Sequence, residues 1–169
     1  MREAEERFAH REPSRRKRED LIDQQPGQRN YRCQCANHSI RGWHLTSYLS
    51  SEENVCTWEP RAIGGGAQEG LDGLTITDLI ASHSIGAAMA AAQQASGRPL
   101  GAEPAFQYAA TSLRITILGP PLIRAALTLR GRVRALQAEH VTVICSLFTG
   151  EKEYARSEVV VVRTPTNAH

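Results

Sequence analysis

Residues 71–93, which read LDGLTITDLIASHSIGAAMAAAQ, constrain the fold of this chain more than any other segment. The spacing and composition predict one long helix over 75–93, whose interior is almost entirely Ile, Leu, Ala, Ser and Gly. Such a helix has no polar stripe to turn toward water, so other parts of the chain must enclose it. Thr75 and Asp78 have the spacing of a capping box, which predicts the helix start. Ser96 and the glycine after it predict its end.

The segments around the helix read as strands. Four of them follow the helix and alternate apolar and polar residues, at 108–118, 127–136, 141–148 and 153–163. Two shorter strands are predicted before it, at 43–49 and 55–58. Short connections between the later strands predict an antiparallel meander, and only the helix is available to cover its apolar face. The predicted fold class is therefore α+β: an antiparallel sheet wrapped around one long central helix, the hotdog arrangement.

A chain of 169 residues is long enough for one domain with a useful core. Residues 1–30 are charged and almost free of aliphatic side chains, so we expect a flexible N-terminal tail there and the folded domain over 31–169. A single sheet around one helix leaves an edge strand and one end of the helix open. We therefore expect a homodimer or a dimer of dimers.

Charge and hydropathy limit the classes of partner. The basic run 15–18 is offset by acidic neighbours, and the net charge is only +2, so we expect no nucleic-acid partner. No secretory segment and no convincing membrane span is apparent, which predicts a cytoplasmic protein without a membrane partner.

In that compartment all four cysteines are expected to be thiols. Cys33 and Cys35 form a C-x-C pair, which offers too few ligands for a zinc site on its own. His38 and His44 lie nearby in the sequence. We predict no metal and no cofactor.

With these features in view, residues 32–163 resemble the PaaI-like, phenylacetic-acid-degradation type of hotdog thioesterase. Trp58-Glu59-Pro60 matches a W-x-P of that family, and the strands that begin at Ser112 and Leu127 match two of its strands. An N-terminal cysteine-rich segment of the family is echoed by a shortened set: Cys33, Cys35, Asn37, Gly42 and Leu45. The resemblance implies thioester chemistry at the start of the central helix.

The family's catalytic groups are replaced in this chain. Where the resemblance implies a His-Gly-Gly turn, the sequence reads Asp72-Gly73-Leu74. The acidic residue that in the family acts as nucleophile or base falls on Ala81, whose methyl group can neither accept a proton nor attack a carbonyl. The motif is degenerate, and any chemistry requires a remodelled site.

Three side chains are candidate catalytic groups. Asp72 is predicted either to act as acid or base or to cap the helix. His83 would be a base with a pKa near neutrality, or a core histidine bonded to a strand carbonyl. Ser82 would orient water or a ligand oxygen, or bond the carbonyl four residues back.

Four further residues are candidates for substrate binding. The amide of Gly73 is expected to approach a carbonyl oxygen, helped by the helix dipole, and Leu74 offers an apolar surface beside it. Glu69 in the preceding glycine-rich loop is a candidate base. Asp78 is assigned as the capping partner of Thr75, with a catalytic role as the alternative.

Three functions remain open from the sequence. The first is a thioesterase-superfamily enzyme that acts on an acyl thioester, carried by coenzyme A or a carrier protein. The second is a non-hydrolytic relative, such as a dehydratase, isomerase or cyclase of a polyketide-like intermediate. The third is a non-catalytic protein that binds an acyl ligand.

Overall fold

The computed structural model describes residues 29–32, 45–59, 72–102, 106–119 and 126–165. These ranges contain one helix and seven strands, which follow the chain as β1 (Arg29–Arg32), β2 (Thr46–Ser50), β3 (Glu53–Trp58), α1 (Gly73–Ala95), β4 (Tyr108–Ile117), β5 (Leu127–Leu136), β6 (His140–Thr149) and β7 (Lys152–Arg163). All paired strands are antiparallel, in the order β1-β2-β3-β5-β6-β7-β4.

The helix α1 lies across the sheet and packs against β4, β5, β6 and β7. Its length and composition would suffice for a membrane span, yet 78% of its most apolar window is buried inside the fold. The core forms where this helix meets the inner side chains of the sheet, among them Leu79, Ile80, Leu129 and Val143, all fully buried. The predicted enclosed helix and the hotdog fold class are confirmed.

The helix begins one turn earlier than the predicted capping box. Asp72 is the N-cap, with an extended backbone at φ −71° and ψ 158°, and its Oδ1 accepts a hydrogen bond from the Thr75 amide at 2.6 Å. Thr75 is therefore the third helical residue and not the cap, so the expected Thr75–Asp78 capping box is wrong. The predicted end is confirmed, because Ser96 is the C-cap.

The strand order differs from the predicted four-strand meander. Strands β5, β6 and β7 do form consecutive hairpins, but β4 pairs with β7 at the far edge of the sheet and β3 takes the place beside β5. Alternation along a strand fixes which side chains face the core, but it does not specify which strand is the neighbour. The meander prediction is wrong for β4 for this reason. Strand β1, which pairs with β2, was not anticipated.

Candidate functional site

A cleft of about 290 Å³ lies between the first half of α1 and the start of β4. Its eight lining residues come from one stripe of the helix and two successive positions of the strand: Leu74, Thr77, Asp78, Ala81, Ser82, Ile85, Ala109 and Ala110. The helical members follow steps of three and four, so they share one face of α1. The opposite face of α1 packs on the sheet, which leaves this stripe to form the cleft.

Asp78 is the one ionisable side chain among the residues that line the cleft. It is only 7% exposed, so little of this residue is open to solvent. Ser82 follows one turn later on the same stripe and is 1% exposed. A carboxylate and a hydroxyl at positions i and i+4 are neighbours on a helix surface.

The two hydroxyl groups of the cleft differ in what they bond. The Thr77 hydroxyl donates to the Gly73 carbonyl oxygen at 2.7 Å, so it is occupied within the helix. Ser82 also lines the cleft, although only 1% of its surface is exposed, and no hydrogen bond from its hydroxyl to the Asp78 carbonyl is found among the described residues.

Ala81 lies in the cleft, where the resemblance implies the family's acid. The nearest carboxylate in the cleft is three residues earlier, which corresponds to about 4.5 Å along the helix axis. The acidic group of this cleft is therefore displaced toward the helix N-terminus, and a methyl group stands in its expected place.

His83 lies on the opposite, sheet-facing side of α1 and is fully buried. Its Nε2 donates to the Asn54 carbonyl oxygen at 2.9 Å, and its Nδ1 is 3.3 Å from the Ser47 hydroxyl. Burial lowers the pKa of His83 to about 4, so the imidazole is neutral near pH 7. Because Nε2 carries the proton, Nδ1 accepts from Ser47. This is the arrangement of a core histidine bonded to a strand carbonyl, out of reach of the cleft.

The predicted site residues near the start of α1 do not all line the cleft. Asp72 is exposed, caps α1 and does not line the cleft. Gly73 is the first helical residue, and Leu74 lines the cleft with 57% of its surface exposed. Glu69 lies outside the described residues, as do Cys33 and Cys35.

Several lining residues were not anticipated from the sequence. Thr77 and Ile85 continue the stripe of Leu74, Asp78 and Ala81, so helical spacing alone would have indicated them. Ala109 and Ala110 carry no such signal, because only the placement of β4 brings them to the helix. Among the described residues, no group of three or more His, Cys, Asp or Glu side chains is arranged to hold a metal ion.

Comparison with known proteins supports the architecture. No protein-family model and no curated protein sequence matches the chain. Among solved structures, a thioesterase superfamily protein from Shewanella loihica PV-4 is 26% identical, with a TM-score of 0.55 over 72% of this chain and 91% of that protein.

More distant structures show the same fold. The PaaI protein of the phenylacetic acid degradation operon of E. coli is 15% identical, with a TM-score of 0.54 over 72% of this chain and 78% of that protein. The yhdA protein of Lactococcus lactis, which carries a thioesterase assignment, is 14% identical, with a TM-score of 0.52 over 82% of this chain and 92% of that protein. This chain therefore has the hotdog fold and resembles the proteins of the thioesterase superfamily.

Proposed function

We propose that this protein is a thioesterase-superfamily hydrolase that acts on an acyl thioester, carried by coenzyme A or a carrier protein, in the cleft between α1 and β4. The observation that carries the proposal is the buried carboxylate of Asp78 in a cleft that is otherwise apolar or hydroxylated. Such a carboxylate can take a proton from a water molecule held beside a bound carbonyl.

The start of α1 supplies the groups for the carbonyl oxygen. Asp72 already occupies the Thr75 amide, so the amides of Gly73 and Leu74 are the ones left for a ligand within the described residues. Leu74 also lines the cleft. Unpaired amides at a helix N-terminus stabilise the negative charge that develops on a carbonyl oxygen under attack.

The reaction then follows from these positions. A water molecule beside Asp78 gives a proton to the carboxylate as the water oxygen attacks the thioester carbon. The carbonyl electrons move to the oxygen at the helix start. When the carbonyl re-forms, the carbon–sulfur bond breaks. The protonated Asp78 side chain gives its proton to the sulfur, which leaves as a thiol. A free carboxylic acid and a free thiol are the products.

The same proposal includes a homodimer. Strand β4 lies at one edge of the sheet and also contributes Ala109 and Ala110 to the cleft. An edge strand with open backbone groups invites pairing with a second copy, which would add a wall to the cleft. Light scattering should give twice the 18.6 kDa of one chain, or four times for a dimer of dimers. We place this assembly in the cytoplasm, without nucleic-acid or membrane partners.

The test of function is thiol release from a panel of acyl-CoA substrates by the purified protein. Asp78→Asn keeps the size of the side chain and should lower kcat by about 100-fold or more, since it removes the base. Thr77→Val is the matched control, because it lines the same cleft with a hydroxyl that is already occupied. It should retain activity close to that of the unmodified protein.

The outcomes separate the candidate functions. Full thiol release by Asp78→Asn would overturn the assignment of Asp78. Conversion of a substrate without thiol release would favour a non-hydrolytic enzyme, and binding without conversion would favour a ligand-binding protein. The double variant Asp78→Ala, Ala81→Asp tests whether a carboxylate at position 81, about one helical turn after position 78, also supports thiol release.

A further inference from the structure

We infer that Gln93 is a positioning residue of the cleft, because its buried side-chain amide fixes the turn over 99–102 on the end of α1 and so fixes where β4 begins. The inference rests on the proposed function and deepens it, since β4 forms one wall of the proposed site. A continuous series of contacts among described residues leads from the last turn of α1 to the first residue of β4.

Gln93 is a buried amide in an otherwise apolar half of the helix. Over residues 85–95 the only polar side chains are those of Gln93 and Gln94. Gln94 is exposed, whereas Gln93 is only 3% exposed. Burying an amide costs free energy unless its donor and acceptor groups are bonded. Gln93 meets this requirement with backbone groups of the turn that follows the helix.

Both ends of the Gln93 amide bond that turn. Its Nε2 donates to the Ala102 carbonyl oxygen at 3.1 Å, and its Oε1 accepts from the Gly101 amide at 2.9 Å. The backbone oxygen of Gln93 also accepts from the Arg98 amide at 2.8 Å. Because hydrogen bonds are directional, two side-chain bonds to successive residues fix the orientation of the turn as well as its distance from the helix.

Phe106 continues the link from the turn to the sheet. The guanidinium carbon of Arg98 lies 4.8 Å from the centroid of the Phe106 ring, and that of Arg163 lies 4.4 Å from it. Arg98 also donates to the Ala102 carbonyl oxygen at 3.1 Å, so it belongs to the same turn. Arg163 pairs with Tyr108, the first residue of β4. The two cation–π contacts of the ring therefore join the turn to the start of β4.

The start of β4 forms the strand wall of the cleft through Ala109 and Ala110. Successive side chains of a strand point to opposite faces, so at most one of the two methyl groups faces the cleft and backbone atoms supply the rest of the wall. Such a wall moves with the strand backbone. Asp78 lies on α1, as do the amides of the helix start, so these groups stay in place when β4 shifts. A displaced β4 should weaken substrate binding more than it slows the chemical step.

The experiment replaces Gln93 by leucine, which has a similar volume and no hydrogen-bonding groups. With the best substrate among acetyl-, hexanoyl- and palmitoyl-CoA, Gln93→Leu should raise KM by about tenfold and keep kcat within about twofold. Amide hydrogen exchange at residues 108–112 should become faster, while exchange in β6 stays unchanged. Gln94→Leu is the matched control, because it makes the same change at the exposed neighbour, and it should alter neither measurement.

Phe106→Leu tests the second part of the link. It removes the ring between the two arginines and should reproduce the rise in KM and the faster exchange. Thermal unfolding shows whether each variant folds. If Gln93→Leu does not fold, the same measurements on Phe106→Leu decide the inference.

The outcomes separate the inference from the proposed function. In a protein that hydrolyses none of these thioesters, the calorimetric Kd for hexanoyl-CoA replaces KM. A rise in that Kd together with faster exchange at 108–112 would overturn the proposed function and support the positioning role. Faster exchange with unchanged KM and Kd would leave Gln93 a structural role only and overturn the inference. So would a loss of kcat at unchanged KM, or equal effects of Gln93→Leu and Gln94→Leu.

Discussion

Gly131 of β5 lies directly against the imidazole of His83. A Cβ atom built at position 131 would be 3.2 Å from Nε2 and 3.3 Å from Cδ2 of that ring. The ring cannot easily retreat, because Asn54 and Ser47 hold both of its nitrogens. Helix and sheet therefore approach so closely at this point that any Cβ atom at position 131 would require His83 to move by a few tenths of an ångström.

Gly131→Ala should destabilise the protein by about 1–3 kcal/mol, the usual cost of overpacking a core. Gly73→Ala is the matched control, since a Cβ atom at that helix position would meet nothing within 4 Å. It should stabilise slightly, because alanine restricts the unfolded chain. Urea unfolding measures both. Equal stability of the two variants would show that His83 yields to the added methyl group.

The stability of the protein should fall as the pH is lowered from about 6.5 toward 4, because of His83. Its folded pKa of about 4 is below the ordinary 6.5, so the unfolded chain binds a proton that the folded chain excludes. The contribution is complete above pH 6.5 and amounts to about 3 kcal/mol at most. An NMR titration should show the ring of His83 still neutral at pH 5.5. A midpoint near 6.5 would contradict the buried position.

Asp72→Ala should lower stability by about 1 kcal/mol, because it removes the cap from α1. Asp72→Asn retains an oxygen that accepts from the Thr75 amide and should remain close to the original stability. Thiol release by the two variants distinguishes capping from chemistry. If Asp72→Asn folds normally and loses activity, the aspartate has a catalytic role as well.

Cys56 and Cys145 should be unreactive in the folded protein. Both are buried, and burial raises the pKa of Cys56 to about 11 and that of Cys145 to about 12, so neither forms a thiolate near pH 7. In a variant with Cys33→Ser and Cys35→Ser, a colorimetric thiol reagent should detect none before unfolding and two after it. Reaction in the native state would indicate local opening of the sheet.

The sequence predicted the bounds of the helix and strands better than it predicted which strands pair with each other. Strand β5 begins and ends as expected, and α1 begins two residues before the predicted range and ends at the predicted C-cap, Ser96. Local periodicity fixes such features because they depend on residues close in the chain. The partner of β4 depends on the assembled sheet, so the pairing with β7 had no local signal.

In the candidate site, too, helical spacing predicts some features, whereas others depend on how the helix packs. The stripe that contains Asp78 and Ala81 follows from helical spacing, as does the separation of His83 from it. Which of the two faces would be covered by the sheet depends on packing that a single helix does not reveal. Asp72 and Thr75 both have cap-forming side chains, and only the extended backbone at Asp72 decides between them.

The attachment of β4 to β7 has a consequence for synthesis of the protein. Thirty-four residues separate the end of one strand from the beginning of the other. When β4 has just emerged from the ribosome, every residue known to line the cleft has been synthesised. The strand with which β4 pairs, β7, has not yet been made. Competence for ligand must wait until the C-terminal strand emerges, although that strand contributes no side chain to the lining.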